Sequence, residues 1–338
     1  MRAIIITGEG KVALNEVPQP DKASSGHVII KMKAMGINAG DKFLISGNYP
    51  PGFFTQSLHN IAGVSGVGEV IQLGEGVPDK FLGRQVTVYR SLTKSENVVG
   101  TWSEYAQLPY LQCAILPDEA DPLDYTGSLV NIITAYGAWK QLTDEGHKGV
   151  VITAGNSDTG KAMLGICQHA DVPVIAIVRN EQGRKELEEL GARHILIQGT
   201  EDFQQQFAAL ANELKTTAVF DGVGGALLGE LLNVVPAGST IYAYGFLGGN
   251  IPVAFHTGIL IKGITIKGFS NFNTATVQDH DQLALALEEI SKIIHMPHFK
   301  FKSGKEFQFE QVNEALAFVS SDGGKATLLA SSASGSGR

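Results

Sequence analysis

Val150-Val151-Ile152-Thr153-Ala154-Gly155-Asn156-Ser157-Asp158-Thr159-Gly160-Lys161 runs from three β-branched apolar residues through a turn of small residues into a helix-forming stretch. Strand, tight loop and helix in that order aim backbone N–H groups and a helix N-terminus at one point, which suits a pyrophosphate. Gly155 opens the turn, and Gly160 stands where the helix must pass close to the strand. The middle glycine of the G-x-G-x-x-G fingerprint is absent, Ser157 holding its place, and Asp158 puts an acid beside the expected anion. Such an acid weakens phosphate binding unless it points away.

Outward from this loop the chain repeats one grammar. Short apolar runs at Gly149–Ala154, Val172–Val178, His194–Gln198, Thr217–Asp221, Ser239–Gly245 and Ile264–Phe269 are spaced by helical stretches at Lys161–Ala170, Glu181–Leu190, Asp202–Leu214 and Leu227–Val235. Alternation of this kind predicts an α/β fold, a doubly wound parallel sheet of six strands over residues 122–269. The run after the loop ends in Arg179-Asn180, where an NAD-binding chain places a carboxylate for the ribose 2′-hydroxyl. A cation there, with Arg184 and Lys185 nearby, suits the 2′-phosphate of NADPH; a solvated loop charge is the competing reading of Arg179.

Residues 1–121 read differently. Val28–Lys33, Gly66–Leu73 and Arg84–Tyr89 are β-type runs, separated by clusters such as Pro50-Pro51-Gly52 and Gly74-Glu75-Gly76. Residues 270–330, with helices expected at Asp281–His295 and Phe309–Ser320, are expected to complete this first domain. The polar, small-residue segment 331–338 reads as a disordered tail. The net charge of -8 argues against nucleic acid. Two cysteines, Cys113 and Cys167, cannot build a disulfide framework or a cysteine-rich metal site. No apolar run approaches the ~18 residues of a membrane span, so a cytoplasmic location is expected.

The chain resembles the zinc-free quinone oxidoreductase branch of the medium-chain dehydrogenase/reductase superfamily. Gly36-Ile37-Asn38-Ala39-Gly40-Asp41 with Ser46-Gly47-Asn48-Tyr49-Pro50 is similar to its N-x-x-D…G-x-Y-P segment, and Gly100-Thr101-Trp102-Ser103-Glu104-Tyr105 to its G-x-x-A-E-Y stretch. Gly191-Ala192, Asp221-Gly222-Val223-Gly224-Gly225 and Gly324-Lys325 extend the likeness over most of the chain. The resemblance implies a GroES-like β-rich catalytic domain carrying an inserted Rossmann domain. It also implies no zinc: the superfamily's alcohol dehydrogenases have a cysteine where Asn38 stands, a His-Glu pair near residue 60 and a four-cysteine lobe. The loop residues Asn156-Ser157-x-x-Gly160 also resemble those of the mitochondrial enoyl thioester reductases, a sister branch whose proposed proton donor falls on Tyr49.

These likenesses imply a site. Tyr49, Asn38 and Asp41 form the expected catalytic set, Tyr49 donating or orienting a proton or else serving only as an apolar wall. Gly155, Asn156, Ser157, Thr159, Gly160, Arg179 and Arg184 are expected to hold the adenosine and phosphate end of NADPH. Thr134, Tyr244, Gly245, Phe269 and Lys325 are assigned to the rest of it. The expected activity is reduction of a small quinone or α,β-unsaturated carbonyl. The alternatives are a 2-enoyl thioester reductase and a non-catalytic NADPH-binding protein. The apolar run 260–269 is expected to be an edge strand that pairs with its twin in a homodimer.

Overall fold

The computed structural model describes residues 1–8, 10–249, 251–321 and 323–330; the segment 331–338, expected to be a disordered tail, lies outside them. The chain opens with β1 (Arg2–Gly8), β2 (Lys11–Glu16), β3 (His27–Gly36), α1 (Ala39–Ser46), β4 (Ser65–Leu73), β5 (Gln85–Tyr89), β6 (Tyr105–Pro109) and β7 (Cys113–Ile115). After α2 (Ser128–Asp144) come β8 (Val150–Ile152), α3 (Asp158–His169), β9 (Val174–Val178), α4 (Glu181–Glu189), β10 (His194–Ile197) and α5 (Phe203–Glu213). β11 (Ala218–Asp221), α6 (Gly225–Val234), β12 (Thr240–Ala243) and β13 (Thr265–Gly268) finish that series. Last are α7 (Ala275–Gln278), α8 (His280–Ile293), β14 (Ser303–Gln308), α9 (Val312–Ala317) and β15 (Lys325–Leu329).

Two compact units result. The first comprises Met1–Val130, His280–His295 and Lys300 onward. Its main sheet runs β14-β15-β3-β4-β5-β7, with β6 also pairing β3, and β1 and β2 form a separate antiparallel pair. β3 is the spine, because its 10 residues are long enough for β6 to pair its first half and β15 its last, with β4 along the other edge. The glycines that punctuate β4 have a steric cause. A Cβ on Gly66 would meet the Met32 side chain at 2.6 Å, and one on Gly68 would meet the Lys31 carbonyl at 2.4 Å. Ile4, Ile30, Trp102, Leu108 and Leu328 are completely buried in this unit's core.

The second unit comprises Asn131–Asp279 and Met296–Phe299. Its six strands are all parallel in the order β10-β9-β8-β11-β12-β13, so the chain steps outward from β8 and then returns to its other side. That is the doubly wound arrangement whose ligand crevice lies at the carboxyl ends of the strands, where the order reverses. Helices on both faces explain why β8, β9 and β11 are buried at every residue. Val151, Ile175, Ile177, Val219 and Ile241 pack with Phe203, Phe207 and Leu231 in its core.

One element differs from expectation. The run 260–269 is not one strand: Thr257–Lys262 is a short 3-10 helix, and only Thr265–Gly268 pairs with β12. Gly263, at φ 65, ends the 3-10 turn in the left-handed region, which an extended strand cannot contain. Lys262 Nζ fastens the turn by donating to the Asn233 carbonyl at 2.9 Å. The edge therefore has four residues. Beside it Leu260 and Ile261 stay exposed, at 70% and 93%.

Candidate active site

In the first unit Asn38 and Asp41 stand at the start of α1, three residues apart and so on one face of its first turn. Asp41 Oδ2 accepts from the Asn38 N–H and Oδ1 from the Val64 N–H, both at 2.8 Å. The Asn38 amide is used completely. Its Nδ2 donates to Ser65 Oγ at 3.3 Å and to the Gly127 carbonyl at 3.1 Å, and its Oδ1 accepts from Lys325 Nζ at 2.9 Å. The Lys325 ammonium also lies 5.5 Å over the Phe301 ring. Full burial pushes the Asp41 carboxyl up to about 7, against the two backbone hydrogen bonds and the charges of Lys325 and Arg90.

Arg90 is a member of this cluster that sequence reasoning missed. It follows directly on β5, is 2% exposed, and donates through its Nη atoms to the carbonyls of Ile61 (3.1 Å), Gly63 (3.0 Å) and Thr55 (2.6 Å). Burial lowers its pKa to about 10, and the charges of Tyr49 and Asp41 counter that. The only local signal was a charge ending an alternating apolar strand. Tyr49 itself is half-buried, its ring edge-on to Phe43 at 5.8 Å and to Phe54 at 5.0 Å.

In the second unit the loop between β8 and α3 is tight and capped. Ala154 takes φ 48, Gly155 N–H donates to the Ile177 carbonyl at 2.9 Å, and Ser157 caps α3 by accepting from the Gly160 N–H at 3.1 Å. A Cβ on Gly160 would lie 2.5 Å from the carbonyl oxygens of Ala154 and Gly155, so only glycine lets α3 start this close to β8. Asp158 pairs with Lys161 at 3.2 Å, which neutralises the acid beside the loop. Thr159 Oγ1 donates to Asn131 Oδ1 at 3.0 Å. Asn156 Nδ2 reaches Glu186 on α4 at 3.2 Å.

The neighbouring strand ends are tied together. Asp221 accepts from Thr153 Oγ1 at 2.6 Å and from the N–H groups of Val223 (3.1 Å) and Gly224 (3.0 Å). Tyr244 stacks on Phe220 at 4.0 Å, and Phe269 meets Phe220 edge-on at 5.5 Å. Burial raises the Tyr244 phenol, whose hydroxyl faces Ser157 without reaching hydrogen-bond geometry. Gly245 sits against the Gly222 carbonyl, which a Cβ would approach to 3.0 Å. Arg179 is exposed where β9 gives way to α4, and Arg184 pairs with Glu181 at 3.5 Å. Thr134 is half-buried on α2. The expected cofactor residues thus gather in the second unit, except Lys325, which belongs to the Asn38 cluster of the first.

Residues 24–118 match the model of the alcohol dehydrogenase GroES-like domain, and residues 158–289 that of the zinc-binding dehydrogenase family. The chain belongs to the medium-chain dehydrogenase/reductase superfamily. Among its relatives is a mitochondrial enoyl-[acyl-carrier-protein] reductase of Caenorhabditis elegans, 26% identical over 83% of this chain and 80% of that one. An alcohol dehydrogenase superfamily protein from Novosphingobium aromaticivorans superposes with a TM-score of 0.78 at 19% identity, covering 97% of this chain and 99% of that one. The Escherichia coli quinone oxidoreductase, solved with NADPH, gives 0.74 at 20% identity over 97% and 100%. The last two likenesses show the fold.

Zinc, which the second matching family is named for, does not fit these residues. It needs three or four N, S or O ligands held together. Among the described residues no three His, Cys, Asp or Glu side chains converge. The Asn38 oxygen, moreover, already faces the Lys325 ammonium, whose charge repels a metal cation. Among the described residues no helix is long and apolar enough to cross a membrane.

Proposed function

We propose that the chain is a zinc-independent, NADPH-dependent reductase acting on a small quinone or α,β-unsaturated carbonyl. The observation that carries this reading is the loop Ala154–Gly160, where a glycine-dependent close approach and a capped helix N-terminus offer N–H groups to a pyrophosphate. The residues fit NADPH. Gly155, Asn156, Ser157, Thr159 and Gly160 hold the pyrophosphate, and Arg179 with Arg184 receives the 2′-phosphate. Tyr244, Gly245, Phe269 and Thr134 bound the nicotinamide half. Tyr244 stacks on Phe220 at that end of the sheet.

When bound, the cofactor supplies the hydride. The chain must then stabilise the negative charge that develops on the acceptor's oxygen, and without a Lewis acid that task falls to hydrogen-bond donors. Conjugation lowers the demand by delocalising the charge into an enolate. Tyr49 donates the proton or orients the acceptor within the Phe43–Phe54 aromatic wall, and Asn38, held by Lys325 and Asp41, keeps that end of α1 rigid.

NADPH oxidation measured with a quinone, an enone and crotonyl-CoA tests the reading. Turnover of the first two above crotonyl-CoA is the expected result; preference for crotonyl-CoA would move the assignment to the thioester reductases, which the enoyl reductase relative and the Asn156-Ser157 loop favour. NADPH binding without any turnover would leave a binding protein. We further assign a cytoplasmic location, which the free thiols of Cys113 and Cys167 support. The exposed Leu260, Ile261 and Ile266 favour a homodimer through the β13 edge. A monomer mass at micromolar concentration would contradict it.

A further inference from the structure

The first unit contains a cavity of about 460 Å³, walled by α8 on one side and by β7 and the turn before it on the other. None of Asn38, Asp41, Tyr49, Arg90 or Lys325 lines it. Its volume lies within the ~300–1,000 Å³ typical of small-molecule sites. The floor is Phe81, Leu111, Cys113, Leu116 and Leu287, each buried. These side chains carry no nitrogen or oxygen, so whatever fills the floor must be apolar: a polar group there would lose its hydrogen bonds to water without replacement.

The mouth has the opposite character. Lys80, Arg84 and Lys292 line it with Glu288, and Arg84 is paired beyond the lining with Asp118 at 3.0 Å. Lys80 and Lys292 against Glu288 leave the mouth one positive charge, on a chain of net charge -8. Lys80 and Lys292 converge on the Glu288 carboxylate, at 3.6 and 3.2 Å, so two ammonium groups already stand at the spacing one carboxylate bridges. These pairs are exposed and weak, hence readily re-partnered.

We propose that this cavity binds an aliphatic carboxylate, its chain on the apolar floor and its head group between Lys80 and Lys292. The wall also explains why Cys113 remains a buried, unpaired thiol whose pKa burial raises: it serves as apolar surface, not as a nucleophile.

Calorimetric titration of the full chain with dodecanoate, and with dodecanol as the uncharged control, tests this directly and without any turnover assay. We expect saturable binding of one dodecanoate per chain, about twofold to fivefold tighter than dodecanol and weakened by salt. Ala284→Trp, which fills the cavity from α8, should weaken it at least tenfold, and the double change Lys80→Gln with Lys292→Gln should reduce it to the affinity of dodecanol. Glu288→Gln, which removes the competing carboxylate, should tighten it. Should Ala284→Trp disturb folding, Leu285→Trp blocks the exposed mouth instead, with the thermal midpoint as the check on integrity. Binding that survives both tryptophan variants would place the carboxylate elsewhere and overturn the proposal. So would equal affinity for dodecanol, or the absence of saturable binding.

Discussion

Replacing Asp41 by asparagine removes a carboxyl that is wholly buried and titrates at about 7 instead of its ordinary 3.8. A raised carboxyl pKa means that the folded chain holds the proton more tightly than the unfolded one. The stability this confers is complete below the unfolded pKa and is lost as the pH rises through the folded one. Each pH unit in that window removes about 1.4 kcal/mol, so the loss between about pH 4 and pH 7 sums to about 4 kcal/mol. Asparagine does not titrate. Its single acceptor oxygen also cannot serve both the Asn38 and Val64 N–H groups, a fixed penalty of about 1–3 kcal/mol that does not change the slope. The stability of the parent chain minus that of Asp41→Asn should therefore fall by about 4 kcal/mol from about pH 4 to pH 7 and level off above it. Urea unfolding at half-unit pH steps in a Trp139→Phe background leaves buried Trp102 to report on the first unit alone. A difference that stays flat, or that grows with pH, would show that the backbone amides and nearby cations outweigh burial.

Three further outcomes bear on the site. Tyr49→Phe should lower kcat for quinones at least tenfold with NADPH affinity unchanged; full kcat would leave Tyr49 as an aromatic wall only. Gly160→Ala places a methyl 2.5 Å from two carbonyl oxygens and should weaken NADPH binding at least tenfold by fluorescence titration, whereas native affinity would mean that α3 can shift. Arg179→Glu should erase the preference for NADPH over NADH, read as the ratio of their kcat/KM values, and an unaltered ratio would return Arg179 to the solvent.

The parallel sheet was legible because strands covered on both faces read as unbroken apolar runs, and Val150–Ile152, Val174–Val178 and Ala218–Asp221 fit that rule. Residues 260–269 were not, since a 3-10 turn and an edge strand there share one apolar composition. Only the left-handed Gly263 separates them. The tight loop before α3 was legible from local spacing, and so was the question raised by Asp158; its answer, Lys161, stands one helical turn away. The Asn38–Lys325 contact joins residues 287 positions apart, a distance that no local pattern encodes. Burial of Arg90 has no local signature for a related reason, because three carbonyls from the Thr55–Gly63 segment, and nothing beside it in the chain, hold it inside.

The strand β3 acquires its last neighbour late in the life of each molecule. Ala34, Met35 and Gly36 pair with Leu329, Leu328 and Thr327. On a ribosome adding about 5–20 residues per second, roughly 15–60 s separate the emergence of these partners. Throughout that interval the end of β3 presents unpaired N–H and C=O groups that another nascent chain can take up. The parallel sheet of the second unit, by contrast, has all six strands within one continuous stretch and can close while synthesis continues. Chains released before β15 should accordingly be found in aggregates, or held by chaperones, with that sheet already formed.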